Sequence, residues 1–445
     1  METPRRALVV GCRRTGRAVA ALLAARGARV RMADARSADA LASDAAPLPE
    51  GVELRLGEDG PQLLDDVDLV VPSPGVPREA PILRAAVAAG LPIVSEIELA
   101  ARWLAIPIVA VTGTNGKSTT TTLVGLALAR AGKRPFVGGN LGTPLVEAVG
   151  RDVDVAVAEV SSFQLEWVDT FRPAVAALLN VTPDHLDRHA SYEEYRDLKA
   201  RIFARQQAAD WAVVNGDDPE VVAIAKRCRA RVVPFAWAPS PLGAYVAGNE
   251  AVLRLPGAAE ERLALGATRL AGRHNVENIL AAATIAHLAG ATRDAVQEAI
   301  ETMEPLPHRL ARVGERRGVV FLDDSKATNV GAAAKSLGSV GGPVILLAGG
   351  VDKGGSYDAL AAAASGRVRL ACLFGAARER IAEALGERRI PVERTASLEE
   401  AVAAAASAAR PGDTVLLAPA CASFDMFADY AARGRAFRAA VEALP

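Results

Sequence analysis

Residues 106–122, IPIVAVTGTNGKSTTTT, leave this chain fewer ways to fold than any other stretch. Positions 106–111 are apolar and rich in β-branched side chains, the pattern of a buried strand. A turn, Gly113-Thr114-Asn115-Gly116, follows, then Lys117-Ser118-Thr119; the Ala/Leu-rich residues 123–131 predict a helix closed by Gly132 at its C′ position. Strand, glycine turn, Lys-Ser/Thr and helix together point backbone N–H groups inward around a polyphosphate. The lysine neutralises the outer phosphates and the Ser118 hydroxyl reaches Mg²⁺. The spacing G-x-x-G-K-S is shorter than the common G-x-x-x-x-G-K-[ST], so the flanking strand and helix carry as much of the assignment as the glycines. Nucleotide phosphate binding is the expectation.

At 445 residues the chain has room for three domains, given about 100–200 residues per domain. The net charge of −1 is spread along the sequence, which argues against a nucleic-acid or membrane surface. Apolar runs are strand-sized, well short of the ~18 residues that span a bilayer, and the first residues run straight into a strand-like segment without a cleavage signal. Cys12, Cys228, Cys372 and Cys421 are far apart and show neither zinc spacing nor a disulfide framework. A soluble, cytoplasmic protein is expected. Only seven lysines stand against 44 arginines. Four of the seven, Lys117, Lys199, Lys326 and Lys353, fall in glycine- or polar-rich segments. Lysine is a compact ammonium that can lose its proton, which arginine cannot.

Before the phosphate loop, positions 7–12 and 28–33 resemble strands around an Ala-rich helix that starts near Gly16, a Rossmann-like opening. The middle glycine of G-x-G-x-x-G is Arg13 here. An arginine blocks the close approach of a dinucleotide pyrophosphate, so NAD is not expected. Arg13 or Arg14 either meets a phosphate from the side or is a plain exposed pair. Loops at 15–16, 34–36 and 73–75 lie at strand C-termini and share one edge. Residues 1–95 form the first domain, 96–305 the second and 306–445 the third.

In the second domain, Gly138-Gly139-Asn140-Leu141-Gly142 is another glycine-rich strand end. The strand-like residues 153–160 include Glu159 near their end, a carboxylate suited to Mg²⁺ beside a phosphate loop. Residues 174–181 predict a strand that places His185 at the same edge. Ser191 caps the next helix with Glu194 as in a capping box; Lys199 on that helix is unremarkable by spacing. Asn275 and Asn278 share a helix face, where they either read a base edge or cap the helix. Beyond Leu306-Pro307-His308-Arg309, strands at 319–322, 344–347, 370–374 and 414–417 alternate with helices, so a parallel sheet is expected. Asp324, Lys326, Lys353 and Ser423 lie in its strand-end loops; the two lysines and the serine suit an anionic ligand.

Taken together, the chain resembles the Mur ligases, ATP-dependent amino-acid-adding enzymes of peptidoglycan synthesis. T-G-T-N-G-K-S is shared across them and with folylpolyglutamate synthetases. Narrower likeness comes from Ser161-Ser162-Phe163-Gln164-Leu165-Glu166, from Asp324-Ser325-Lys326-Ala327-Thr328-Asn329, and from Ser423-Phe424-Asp425 leading to Tyr430 and Arg433-Gly434. These are similar to the members that add D-glutamate to UDP-N-acetylmuramoyl-L-alanine. The resemblance implies a UDP-substrate site at Thr15, Arg36, Ser73, Gly75 and Asn140. It implies ATP on Gly113, Thr114, Asn115, Gly116, Lys117, Ser118 and Thr119, completed by Asn278, Arg309 and Asp324. The amino acid would meet Lys326, Thr328, Lys353, Ser423 and Tyr430. Two Mg²⁺ ions would be held by Ser118, Glu159, His185 and a carbamylated Lys199, with Lys117, His185 and Lys199 serving catalysis in a monomer. A ligase adding a different amino acid, or a non-catalytic nucleotide-binding protein on the same fold, is the alternative.

Overall fold

The computed structural model describes residues 3–39, 41, 48, 50–270 and 272–444. It packs as two compact units. The first contains Met1–Val181, Arg196–Gly266 and Asn278–Ile300; the second contains Thr182–Tyr195, Ala267–Glu277 and Glu301–Pro445.

The first unit holds two sheets. In one, β1 (Arg6–Val10), β2 (Arg29–Asp34), β3 (Val52–Leu56) and β4 (Leu69–Pro72) run parallel in the order β3-β2-β1-β4. Leu8, Val10 and Val70 pack on Ile82, Leu83 and Ala86 of the helix Pro81–Ala88. Because β1 lies between β2 and β4, the loop that leaves it opens at the point where strand order reverses, where α/β sheets place their ligands.

The other sheet comprises β5 (Ile108–Thr112), β6 (Pro135–Gly139), β7 (Val155–Glu159), β8 (Val175–Leu178), β9 (Trp211–Asn215), β10 (Arg231–Ala236), β11 (Gly243–Ala247), β12 (Glu250–Arg254) and β13 (Glu261–Ala264). Their order is β13-β12-β11-β10-β9-β8-β5-β7-β6. Every residue of β5, β7 and β8 is buried, as expected of central strands covered on both faces. β5 sits between β7 and β8, so the phosphate loop also leaves from a reversal of strand order. β11, β12 and β13 form an antiparallel meander, its first turn the two-residue Gly248-Asn249 with Gly248 at φ +62°.

The helix after the phosphate loop starts at Lys117, not at the expected 123, and runs to Arg130. Thr119–Thr122 are poor helix formers. They are helical here because packing decides: Thr119, Thr120 and Thr121 are buried against the sheet. Farther on, Ser191 Oγ accepts from the Glu194 N–H at 3.2 Å, and the Glu194 carboxylate accepts from the Ala190 N–H at 2.7 Å.

The second unit carries β14 (Ala311–Arg316), β15 (Val319–Asp323), β16 (Val344–Gly349), β17 (Val368–Phe374), β18 (Val392–Arg394) and β19 (Thr414–Leu417), ordered β14-β15-β19-β16-β17-β18. Alternate residues of β16 enter opposite cores. Val344, Leu346 and Ala348 face one apolar cluster, and Ile345 and Leu347 face the other. The sheet is not wholly parallel: edge strand β14 runs antiparallel to β15. Among the described residues no helix is long and apolar enough to cross a membrane.

Candidate active site

The loop after β5 is shaped by its two glycines. Gly113 lies at φ +151°, and a Cβ there would come within 3.0 Å of Leu179 Cβ. Gly116 lies at φ +87°, where any side chain is strained and a Cβ would fall 2.2 Å from Asn278 Oδ1, displacing that amide. Asn180 fixes the span between them: its carbonyl accepts from Thr114 N–H at 2.9 Å and its Oδ1 from Asn115 N–H at 2.8 Å. Lys117 Nζ folds back onto the carbonyls of Gly113 (2.9 Å) and Thr114 (2.8 Å). Lys199 Nζ donates to the same Gly113 carbonyl at 2.8 Å, from a residue only 2 % exposed. Two ammonium groups therefore meet on one oxygen, and Lys199 belongs to the phosphate loop. Asn278 is buried within the helix Arg273–Leu288 rather than at its start, which removes the capping alternative for that residue.

Glu159 ends β7 in register with Val111 of β5 and Gly139 of β6. It is 3 % exposed, and its Oε1 accepts from Asn140 Nδ2 at 2.6 Å. Its Oε2 is buried with no hydrogen-bond partner. A buried carboxylate oxygen without a donor is costly unless a cation meets it, so the Ser118 hydroxyl and Glu159 fit a divalent ion in chemical type. No group of three or more His, Cys, Asp or Glu side chains is clustered for a metal among the described residues.

Thr15, Arg36, Ser73, Gly75 and Asn140 all line one cavity of about 590 Å³ in the first unit. Gly11 and Gly16 let its walls approach: a Cβ on Gly16 would sit 1.9 Å from the Gly11 carbonyl oxygen. Nothing in the sequence singles out Asp34, yet it organises this loop. Its carboxylate accepts from Cys12 N–H at 2.9 Å and takes Arg36 bidentately at 2.8 and 2.6 Å. Burial pushes the Asp34 carboxyl up, but the Arg36 guanidinium and the Cys12 and Arg36 backbone N–H groups outweigh it and hold it below its ordinary range.

Behind the cavity, Gln164 donates to the wholly buried Glu96 at 3.4 Å, and Glu96 also accepts from Val146 N–H at 2.7 Å. Burial raises the Glu96 carboxyl to about 7 against these hydrogen bonds. A carboxyl raised on folding keeps its proton in the native state after the unfolded chain has lost it. Its contribution is then fully present below about 4.5, declines as pH rises through about 7, and is absent above. Glu96→Gln should flatten a fall in stability of roughly a few kcal/mol across that window. Denaturant unfolding at about pH 5 and about pH 8 measures it.

In the second unit the strand-end loops carry Asp324, Lys326, Thr328, Lys353 and Ser423. Lys326 Nζ lies 3.8 Å from the centre of the Tyr430 ring, a cation–π contact. Thr328 is tied by its N–H to the Lys326 carbonyl at 2.8 Å. Lys353 is already ion-paired: Asp184 Oδ1 lies 3.0 Å from its Nζ, and Asn329 Nδ2 donates to Asp184 Oδ2 at 2.9 Å. Burial works against the Asp184 charge, but Lys353 and His185 prevail and keep its carboxyl below the usual value. His185 itself adopts a left-handed backbone, φ +56°, with Nε2 3.7 Å from Asp184. Asp324, hydrogen-bonded by the Ser336 hydroxyl, is raised to about 6 by burial, with Arg309 among the groups that oppose it. It adds a pH slope of the same sign as Glu96.

These loops are tied together by Arg433, which is 0 % exposed. Its guanidinium donates to Ser325 Oγ (3.0 Å) and to the carbonyls of Ser325 (2.9 Å), Cys421 (3.1 Å) and Gly349 (3.3 Å), which follow or end β15, β19 and β16. Arg433→Met should cost at least about 3 kcal/mol, because several buried carbonyls lose their donor at once. Urea unfolding reads the loss.

Residues 5–95 match the Mur ligase MurD-like N-terminal domain, 111–286 the Mur ligase middle domain and 308–421 the Mur ligase glutamate ligase domain. The chain belongs to the Mur ligase family. It is 48 % identical over 98 % of its length, and 97 % of the other chain, to the UDP-N-acetylmuramoylalanine--D-glutamate ligase of Geobacter metallireducens. It is 44 % identical to the protein of the same name from Syntrophus aciditrophicus, over 98 % of both chains. Among solved structures, the pseudomurein peptide ligase type C of Methanothermus fervidus superposes with a TM-score of 0.64 at 20 % identity, covering 98 % of this chain and 99 % of that one. The UDP-N-acetylmuramate-alanine ligase of Thermotoga maritima gives 0.63 at 18 % identity, covering 99 % of each. At such identities these two likenesses speak for the fold.

Proposed function

We propose that the chain ligates D-glutamate to UDP-N-acetylmuramoyl-L-alanine at the expense of ATP, in cytoplasmic peptidoglycan precursor synthesis, acting as a monomer without nucleic-acid or membrane partners. The observation that carries this reading is the glycine loop with two lysine ammoniums on the Gly113 carbonyl, beside the unbonded Glu159 Oε2. The relatives are named for these two substrates. In this reading residues 1–95 are a Rossmann-like UDP-substrate domain, 96–305 a P-loop-type ATPase domain, and 306–445 a doubly wound amino-acid domain.

A carboxylate is a poor electrophile, so the L-alanyl carboxylate first takes the γ-phosphoryl group of ATP to become an acyl phosphate. Lys117 turns from the loop carbonyls to the transferring phosphate, and the first N–H groups of the helix Lys117–Arg130 are offered to it while Asn180 holds Thr114 and Asn115 in the loop. Asn278, Arg309 and Asp324 complete the nucleotide site. Ser118 and Glu159 would hold one Mg²⁺, and His185 with a carbamylated Lys199 a second. Such ions, when bound, neutralise the phosphate charge. The D-glutamate amine then attacks the acyl carbon, a proton leaves the nitrogen, and phosphate departs as the amide forms. Lys326, Thr328, Lys353, Ser423 and Tyr430 hold the amino acid by its carboxylates, which fixes the direction of the amine.

Phosphate release measured over a panel of acceptors and amino acids tests the proposal. Turnover should require UDP-N-acetylmuramoyl-L-alanine and D-glutamate together, with L-glutamate, D-aspartate and L-lysine poor substitutes. Equal use of L-glutamate, or a preference for L-lysine, would refute it.

A further inference from the structure

The cavity beside β1 is lined by Arg13, Arg14 and Arg36 and by the carboxylates Asp34 and Asp59. Arg36 and Asp34 close on each other through two hydrogen bonds, so that pair brings little net charge to a ligand. Asp59 accepts from Ile82 N–H at 3.3 Å, at the start of the helix Pro81–Ala88. Arg14 is placed differently. It is the first residue of the helix Arg14–Ala25, whose first turn holds no acidic residue, and its Nη2 donates to the hydroxyl of Thr143 at 3.2 Å. The guanidinium is thus oriented over the cavity by a neutral partner, with further N–H donors on the same plane.

We infer that Arg14, with Arg13 beside it, is the cation that binds the diphosphate of the UDP substrate, while Arg36 keeps its pair with Asp34. This rests on the UDP-substrate reading of the cavity. A diphosphate brings two negative charges; an arginine fork meets phosphate oxygens bidentately, and the start of its helix adds a favourable dipole. Thr143 holds the fork in place before the ligand arrives.

The test is calorimetric titration of UDP, uridine 5′-monophosphate and uridine into the wild-type chain, Arg14→Leu and Arg14→Lys, with thermal melts to check folding. Arg14→Leu should weaken UDP by roughly tenfold to a hundredfold and leave uridine unchanged. Arg14→Lys should fall between, keeping the charge and losing the fork. UDP binding to Arg14→Leu within twofold of wild type would overturn the inference alone, as would equal weakening of UDP and uridine. Wild-type protein that binds neither UDP nor the UDP-linked acceptor would overturn the functional reading and this inference with it.

Discussion

Lys117→Ala should reduce ADP formation by about a thousandfold or more while leaving the fold intact, the magnitude expected when preorganised charge at a transferring phosphate is removed. The residue opens the helix Lys117–Arg130, and alanine is the best helix former, so the substitution does not unwind the first turn. What it removes is the ammonium at 2.9 and 2.8 Å from the Gly113 and Thr114 carbonyls. Lys199 shares the Gly113 carbonyl but projects from another helix and is almost fully buried, so it cannot follow a phosphate as it moves. Lys117→Arg should recover little, since a planar fork does not fit where a point charge sits between two carbonyls. ADP formation coupled to NADH oxidation, alongside a thermal melt, reads both halves. Activity within a few-fold of wild type would show that the phosphate charge is met elsewhere.

The strand, loop and helix around Lys117 could be read from the sequence because each left a local mark: a β-branched run, paired glycines and an Ala/Leu run. The helix start could not. Threonines at 119–122 argue locally against helix, and only burial against the sheet overrides them. The antiparallel meander β11–β13 was hidden for a similar reason: its strands are short, two of the three carry charged residues, and the clear sign was the Gly248-Asn249 hairpin turn. Asp34 escaped because an acid before an arginine looks like an ordinary surface pair, and its bond to Cys12 N–H spans 22 positions. Asp184 escaped likewise, its partner Lys353 lying 169 positions away. Lys199 did leave a trace. Tyr195, Leu198 and Ile202 are all buried and recur at helical spacing, and Lys199 lies within that stripe. A lone lysine on the apolar face of a short helix is the pattern to look for.

Lys199→Ala should lower turnover by about a hundredfold or more, on the scale of removing one group that organises a phosphoryl-transfer site, and its rescue should reveal what the lysine does. As an ammonium, Lys199, itself 2 % exposed, places a second positive charge on the oxygen that Lys117 already occupies. As a carbamate it would instead present a carboxylate-like group, relieving that repulsion and offering oxygens to a cation. A charge reversal at one buried position is what separates the carbamate from a structural lysine. Lys199→Ala should therefore regain part of its activity in added acetate or propionate, which can place a carboxylate in the space left behind, whereas Lys199→Arg, fixed as a cation, should not respond. Wild-type activity should rise with bicarbonate after carbon dioxide is removed, and ¹³C-bicarbonate should give a carbamate resonance that Lys199→Ala lacks. If Lys199→Arg retains wild-type turnover, or no resonance appears while the enzyme is active, the side chain is a cation that braces the Gly113 carbonyl and nothing more.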